Sequence, residues 1–197
     1  MKTLLASVFV VSALSVVVPA QAGQQTVSIG YAQSKVQDFK DISGVNVKYR
    51  YEWDSPLSFI GSLTYMSGSN NYHDSVDTSS MSDTVSVYNS LDIKSDLKYY
   101  SLSIGPAYRI NDYFSVYGLL GANLNKGSDD AVWKTDGKTF QQKRSTFKNT
   151  SFMYGVGMQI NPVKYLVVDI GYEGSSVDAE ERSLSVNGFN LGVGYSF

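Results

Sequence analysis

Six charged residues are the first candidates for chemistry, because each lies in a segment where polar and apolar side chains alternate. Opposite charges at such spacing fit a proton relay or an ion path. They also fit a set of groups that neutralise one another inside a narrow protein interior. The choice depends on the elements that position them. The six residues are Lys48, Arg50, Glu52, Arg109, Asp169 and Glu173.

His73 is the only histidine, and it stands beside Asp74 in a polar stretch. Hydrolysis at a membrane rim would need these two residues next to an anchored nucleophile, and the sequence shows none. The chain also has no cysteine, no glycine-rich phosphate loop and no cluster of metal ligands. We therefore predict a solvated His73, no catalytic residue, no metal site, no cofactor and no enzymatic activity.

Residues 126–149 form a basic segment in which six cations outnumber three aspartates, for a net charge of +3. Cations interleaved with aromatic rings attract sulfated glycans, lipopolysaccharide phosphates or acidic host proteins. Solvation alone would also make such a segment polar. Its length and an expected exposed Trp133 favour binding. The candidate partner-binding residues are Lys126, Trp133, Lys134, Lys138, Phe140, Lys143, Arg144, Phe147 and Lys148.

The elements that position these residues are predicted to be β-strands. Between Gly44 and Trp53 every odd position is apolar, whereas even positions hold glycine or polar residues. A strand sends alternate side chains to opposite faces, so one face is apolar and the other is charged. Eight segments are candidate strands, although the fifth does not by itself define its phase: residues 24–32, 44–53, 57–65, 100–108, 114–125, 150–160, 166–173 and 188–197.

The connections alternate between short and long. Short turns are predicted at Asp54 and Ser55, at Asn111 and Asp112, and from Asn161 to Lys164; long loops are predicted at residues 33–43, 67–98, 126–149 and 174–183. Outer-membrane barrels have short periplasmic turns and long extracellular loops. With aromatic residues near both predicted rims, this indicates an all-β fold, an eight-stranded antiparallel up-and-down transmembrane β-barrel. Strands are expected to extend above the membrane near residues 84–87 and 98–100.

That fold places all six charged residues inside. An eight-stranded barrel has room only for its own side chains, so we predict that the charges neutralise one another and that no pore forms. Pro106 cannot donate to the sheet, which predicts a bulge or a strand end there. In the fifth strand we place Val116, Leu120 and Leu124 outward.

Residues 1–22 are typical of a cleaved secretory signal peptide, with Lys2, an apolar run and an Ala20-Gln21-Ala22 end. The mature protein is then a single domain, residues 23–197. The formal net charge of −2 argues against a nucleic-acid partner. The last strand, with Tyr195 and Phe197 on one face, is expected to close the sheet against the first.

Three motifs resemble the Ail/Lom/OmpX/PagC family of enterobacterial outer-membrane proteins: residues 44–52, 105–110 and 192–197, with Ser196 in place of the usual lysine or arginine. The resemblance implies an eight-stranded barrel in the bacterial outer membrane, expected here as a monomer. It implies attachment to host cells or extracellular matrix, invasion, and serum resistance through host complement regulators. Resemblance to outer-membrane barrels in general makes Tyr195 and Phe197 an assembly signal for the barrel-assembly machinery. The alternative is a structural envelope protein that packs against lipopolysaccharide without a host partner.

Overall fold

The computed structural model describes residues 23–36, 41–78, 87–135, 138–179 and 182–197. The expected signal peptide, residues 1–22, lies outside this part. The described chain forms eight strands, each antiparallel to the next, and β1 pairs with β8 to close the barrel. No helix in it is long and apolar enough to cross a membrane. The predicted fold is confirmed. The strands are β1 Gln24–Val36, β2 Ile42–Glu52, β3 Leu57–Thr78, β4 Val87–Asn111, β5 Phe114–Thr135, β6 Lys138–Val163, β7 Leu166–Ala179 and β8 Arg182–Ser196.

Alternation along each strand gives the barrel an apolar outside and a polar inside. In β2, Lys48 and Arg50 are buried in the lumen, whereas their neighbours Val47 and Tyr49 are exposed on the outer surface. The other strands repeat this arrangement, which is the polarity that a hydrocarbon surrounding requires. Exposed outward residues on successive strands include Ile29, Val47, Leu63, Leu102, Leu120, Val156, Ile170 and Val193.

Aromatic rings meet at both ends of this apolar band. At the end with the short turns, Trp53 lies 5.1 Å from Tyr51 and 5.7 Å from Phe59 between ring centroids. The ring of Tyr195 stacks between those of Tyr165 and Phe197 at 6.0 and 6.1 Å. At the opposite end the close pairs are Tyr65 with Tyr100 and Tyr172 with Phe189. These two rims mark the membrane interfaces, where amphipathic rings are favoured.

Four strands are much longer than a membrane crossing requires. β3 to β6 have 22 to 26 residues, whereas β1, β2, β7 and β8 have 11 to 15, and a crossing takes about 9–11. β2 pairs with β3 only as far as Ser67, and β7 pairs with β6 only from Met153. Beyond these points β3 to β6 form an open four-stranded sheet, here called the outer sheet (residues 67–78, 87–98, 126–135 and 138–148).

The outer sheet corrects the prediction of long loops. Residues 67–78 and 126–135 are paired strand, and most of 33–43 and 174–183 is strand as well. The prediction was wrong because it took polar composition to mean a loop, whereas a strand in water can be polar and remain paired. The expected strand extension is confirmed at Val87 and at residues 98–100, while residues 84–86 lie outside the described part.

Pro106 does not produce the predicted bulge or strand end. β4 runs through it, and Pro106 pairs with Phe59 of β3. Towards β5 the ladder has no pair for Gly105 and Pro106, yet the register is the same on both sides of the gap. Proline lacks only its own N–H, so the pairing of β4 with β5 is interrupted at this point without a shift in register. The register shift lies further on, between Arg109 and Asn111.

Two other local predictions have clear outcomes. Val116, Leu120 and Leu124 are exposed on the outer surface, so the predicted phase of β5 is confirmed. The turn between β6 and β7 lies at residues 164–165, later than the Asn161-Pro162 step. β6 absorbs that proline in a register shift between Ile160 and Val163.

An apolar cluster packs inside the barrel at its outer end. Buried side chains from β1, β2, β3, β4 and β8 contribute to it, and Phe147 packs against it. The lumen is therefore closed towards the outer sheet by side chains that exclude water, which argues against a pore. The cluster, here called the apolar cap, consists of Ala32, Val36, Ile42, Met66, Leu97, Tyr99 and Val186.

Candidate functional site

Glu52 joins two arginines at the periplasmic end of the lumen. Its carboxylate accepts from Arg50 Nη2 at 2.6 Å and forms an ion pair with Arg109, whose Nε lies 2.8 Å from Oε1. Arg50 also donates to Ser58 at 2.8 Å and to Gln159 at 3.1 Å. Arg50 and Glu52 are buried, whereas Arg109 is partly exposed at the mouth. These three residues, here called the mouth triad, have a net charge of +1.

A second group of charges lies deeper in the lumen. Lys48 Nζ is 2.6 Å from Asp169 Oδ1 and 2.6 Å from Asn190 Oδ1. Tyr117 and Gln159 also donate to the Asp169 carboxylate, at 3.0 and 2.9 Å. Lys48 and Asp169 are both almost fully buried. This arrangement satisfies the charge on both partners, as a water-poor interior demands.

Glu173 differs from the other lumen carboxylates. In the part of the chain that the structure describes, no Lys or Arg nitrogen lies within salt-bridge distance of it. Its two oxygens accept instead from Thr64 at 2.8 Å, Ser101 at 3.2 Å and Asn46 at 3.5 Å. Lys48, Asp169 and Glu173 together have a net charge of −1. The six lumen charges therefore sum to zero, but positive charge is in excess at the mouth and negative charge deeper inside.

All six predicted lumen residues project inward, and five of them make ion pairs with one another. The neutral partners Tyr117, Gln159 and Asn190 were not predicted from the sequence, because they do not stand out by charge. Their positions in the alternating pattern point inward, so strand phase is the signal that identifies them. The arrangement holds five of the six charged side chains buried, whereas Arg109 is partly exposed at the periplasmic mouth.

On the water side of the outer sheet, one acidic residue connects three strands. Asp92 of β4 contacts the His73 ring of β3 through Oδ1 and Lys134 of β5 through Oδ2, the latter at 2.7 Å. Donation by Lys134, and then by His73, lowers the pKa of the Asp92 carboxyl below its ordinary value. His73 is exposed, as predicted, but it lies in a strand and pairs with Asp92 across the sheet.

Three lysines lie side by side where the outer sheet leaves the membrane. Lys98 of β4 is the register partner of Lys126 of β5, which is the register partner of Lys148 of β6. All three are exposed on the outer face, and Lys126 Nζ lies 5.7 Å from the ring centroid of Tyr100. Like charges directly opposite each other destabilise a sheet unless an anion offsets them. We call these three residues the lysine row.

Higher on the β5–β6 hairpin the candidate binding residues divide into two groups. Lys134 is paired with Asp92, and Arg144 Nε is paired with Asp130 at 2.9 Å. Lys143 is exposed. The side chains of Lys138 and Phe140 lie outside the described part of the chain. The hairpin thus presents cations whose strands are fixed by ion pairs.

Two of the three aromatic residues of the hairpin, Trp133 and Phe147, do not point outward. Trp133 is half-buried, which corrects the expectation that it is exposed, and Phe147 packs against the apolar cap. Trp133 shares the register of Leu91, on the face that continues the lumen. Tyr72, Ile93 and Ala131 are register partners on the same face. This face of the outer sheet is mixed: apolar residues of β4 and β5, Trp133 among them, lie beside Asp129, Lys143 and Gln141.

The last strand closes the barrel as predicted. Tyr195 and Phe197 are exposed outward at the periplasmic rim. The backbone N–H of Phe197 donates to Gln25 O at 2.8 Å, and the N–H of Gln25 donates to Phe197 O at 2.8 Å. These two backbone hydrogen bonds leave no free edge at the seam between β1 and β8.

These features define a small outer-membrane β-barrel with a neutralised lumen and a charged sheet above the membrane. The family model for the enterobacterial Ail/Lom protein matches residues 1–197. The chain belongs to the Ail/Lom family.

Two relatives and one solved structure place the chain within this family. It is 46% identical to the virulence membrane protein PagC of Salmonella typhimurium, over 100% of both chains. It is 38% identical to outer membrane protein X of Escherichia coli K12, over 94% of this chain and 96% of the relative. Its fold matches the crystal structure of Ail, the attachment invasion locus protein of Yersinia pestis, in complex with the heparin analogue sucrose octasulfate. That match has a TM-score of 0.65 and 32% identity, and covers 90% of this chain and 100% of Ail.

The comparisons set the location and the general class of activity. The protein resides in the bacterial outer membrane and belongs to a virulence-related family. Its relatives are named for virulence, attachment and invasion rather than for a reaction, so no enzymatic activity is assigned to it.

Proposed function

We propose that the protein is an adhesin that binds sulfated glycans of host cells or extracellular matrix through the β5–β6 hairpin. The observation that supports this most directly is that ion pairs hold two of the hairpin's cations in place. The pair Lys134–Asp92 ties β5 to β4, the pair Arg144–Asp130 ties β6 to β5, and Lys143 is exposed on the other face of the hairpin. A preorganised positive surface lowers the entropic cost of binding a flexible polyanion.

The similarity to Yersinia pestis Ail supports the same class of ligand. Its crystal structure is in complex with the heparin analogue sucrose octasulfate, a compact polyanion. Recognition here would be non-catalytic: Lys126, Lys134, Lys138, Lys143, Arg144 and Lys148 would supply charge, and Trp133, Phe140 and Phe147 would shape the sheet. Recruitment of host complement regulators and invasion would use the same surface.

The test compares adhesion of whole bacteria to heparin-coated surfaces. Changing Lys134, Lys138, Lys143 and Arg144 together to glutamine should weaken attachment about tenfold, which corresponds to about 1.4 kcal/mol. The control changes Lys35 and Lys94, which are exposed but lie outside both the hairpin and the lysine row, to glutamine. Equal adhesion by wild type and the hairpin variant at equal surface levels would refute the proposal.

The lysine row favours a second function, packing against lipopolysaccharide. Its three cations lie beside Tyr100 of the outer aromatic rim, where phosphates of the outer leaflet would supply the missing counter-charge. Replacing Lys98, Lys126 and Lys148 by glutamine should then lower thermal stability in lipopolysaccharide-containing membranes but not in an uncharged detergent. An equal effect in both media would count against this role.

We also propose that Tyr195 and Phe197 act in assembly, since both sit at the seam strand and face outward. Deleting Phe197 should reduce the amount of folded protein in the outer membrane. Normal surface levels of the truncated protein would contradict this role. Nothing in the proposal needs a second copy of the chain, so we propose that it acts as a monomer.

A further inference from the structure

A cavity of about 380 Å³ opens at the periplasmic mouth of the barrel, on the opposite side of the membrane from the outer sheet. Its lining includes all three residues of the mouth triad, together with Lys164 and Ser196. The volume falls within the range of small-ligand pockets. The apolar cap closes the other end of the lumen, so a solute reaches this cavity from the periplasm.

The lining contains three cations, Arg50, Arg109 and Lys164, and two carboxylates, Glu52 and the exposed Asp112, for a net charge of +1. Arg50 uses all three of its nitrogens on Ser58, Gln159 and Glu52. Arg109 uses Nε on Glu52, and the nearest further acid is the exposed Asp112, whose Oδ1 is 4.0 Å from Nη1. Within the described chain, the terminal nitrogens of Arg109 thus make no close ion pair.

The carboxylate that would balance this charge is elsewhere. Glu173 accepts hydrogen bonds from Thr64, Ser101 and Asn46, which lie deeper in the lumen, and not from either arginine. Lys164, at the turn between β6 and β7, adds a further cation to the cavity rim. A partly buried guanidinium with two free N–H groups is well suited to a planar or tetrahedral oxyanion, because it can donate two parallel hydrogen bonds.

We propose that this cavity binds a small oxyanion, a carboxylate or phosphate group, presented from the periplasm. Arg109 donates to the anion through its terminal nitrogens, Lys164 adds attraction at the rim, and Glu52 fixes the Arg109 side chain through Nε. The site is independent of the outer sheet, so the oxyanion proposal can be tested separately from the adhesive function.

The test uses the full protein purified from outer membranes into an uncharged maltoside detergent, since phosphate-containing detergents would compete. Inorganic phosphate and acetate are titrated at constant ionic strength against chloride, while amide NMR shifts of Tyr113 and Ser115 are followed. We expect saturable shifts with phosphate and acetate but not with chloride. Shifts that grow linearly and equally with all three salts would overturn the proposal.

Substitutions at Arg109 and Lys164 test which residues bind the oxyanion. Arg109→Gln should weaken phosphate binding at least tenfold, whereas Arg109→Lys should keep the charge and lose part of the affinity. Because Arg109 also holds Glu52, Lys164→Gln provides a second test that leaves the triad intact, with an expected loss of about threefold. Lys94→Gln is the control, with the same charge change on the outer sheet. Unchanged affinity in both Arg109→Gln and Lys164→Gln would refute the assignment.

Two further experiments identify the source of the oxyanion. In one, a short peptide with a free carboxyl terminus is compared with the same peptide amidated. In the other, the protein is placed in nanodiscs with and without anionic phospholipid, and phosphate binding is measured again. Binding of the free but not the amidated peptide identifies a soluble carboxylate. Competition by the anionic lipid identifies a headgroup phosphate. If phosphate does not bind, and neither the peptide nor the lipid has an effect, the proposed site is refuted.

Discussion

The barrel and the outer sheet are built from the same strands, but in β4 the two regions have opposite polarity. In the barrel, outward residues of β4 such as Leu102 and Ile104 are apolar, and inward residues such as Ser101 and Ser103 are polar. In the outer sheet, outward residues of the same strand are charged, and inward residues are Leu91 and Ile93. The register between β4 and β5 is continuous from residue 89 to 104, so no slip causes the reversal.

The difference shows that the surroundings, and not the strand, set which face is apolar. Hydrocarbon around the barrel demands apolar outward side chains, and backbone groups are satisfied by neighbouring strands. Above Tyr100 the outside is water, so in β4 charges move to the outer face and apolar residues to the inner face. The apolar cap lies at this transition. Predictions that test the comparison follow, from the largest expected effect to the smallest.

Reversing a lumen charge should have the largest effect. Glu52→Lys would place three cations together in the mouth, and an uncompensated buried charge costs about 3–5 kcal/mol. The free energy of unfolding in detergent, measured by urea titration, should fall by about this amount, with surface binding retained by molecules that fold. Asp112→Lys is the matched control, because this nearby carboxylate is 91% exposed. Equal losses for both variants would contradict the neutralised lumen. Glu173→Lys should likewise destabilise the barrel.

The stability cost of an outward substitution on β4 should depend on how deep the position lies in the membrane. Ile104→Arg puts a charge on the lipid face midway between Tyr100 and Tyr108 and should cost about 2–4 kcal/mol, the range for the bilayer centre. Lys94→Leu, also outward but in the outer sheet, should change stability by less than about 0.5 kcal/mol. Urea unfolding in lipid vesicles measures both. If the two variants lost the same stability, the outer sheet would have to lie in the membrane.

Removing an apolar side chain from the inner face should loosen only the outer sheet. Trp133→Ala removes a half-buried ring beside Leu91, with an expected cost of about 1–2 kcal/mol in local opening. Hydrogen exchange should quicken in residues 126–135 and remain unchanged in the barrel. Thr146→Ala, on the exposed face, is the control. Faster exchange throughout the barrel would show that the two regions are not separate cooperative units.

Acid should weaken the outer sheet slightly through Asp92. Its pKa is lowered in the folded protein, so the stability it adds is present above its ordinary value of 3.8 and is lost as the pH falls through the lower folded value. The side-chain carbon of Asp92 should titrate below 3.8 by NMR. Lys134→Met should raise that midpoint, because Lys134 is the main cause of the shift. A midpoint of 3.8 or higher in the wild type would contradict the Asp92–Lys134 pair.

Much of the barrel could be predicted from the sequence because lipid imposes a simple rule on every strand that crosses it. Alternation identified β2 and the inward placement of Lys48 and Arg50, and the short turns fixed the strand directions. The outer sheet could not be predicted in the same way. Residues 126–135 have no regular alternation of apolar residues, since their outward face meets water, and they read as a loop.

The candidate site shows the same division. The lumen charges follow from strand phase and were predicted correctly. The partners of His73 and Lys134 depend on which residues meet across β3, β4 and β5, and a register is a property of the pairing, not of either strand alone. The lysine row was hidden for this reason: Lys98, Lys126 and Lys148 are far apart in sequence and adjacent only in the sheet.

The most direct test of the account is the depth at which β4 leaves the membrane. The chain has no cysteine, so single cysteines at outward positions Ile104, Leu102, Tyr100, Lys98, Asp96 and Lys94 can each receive a spin label in lipid vesicles. The account predicts greater access to oxygen at 104 and 102 and greater access to a water-soluble nickel complex at 96 and 94, with the crossing between Tyr100 and Lys98. Lipid contact that continues to Lys94, or water contact at Leu102, would contradict it.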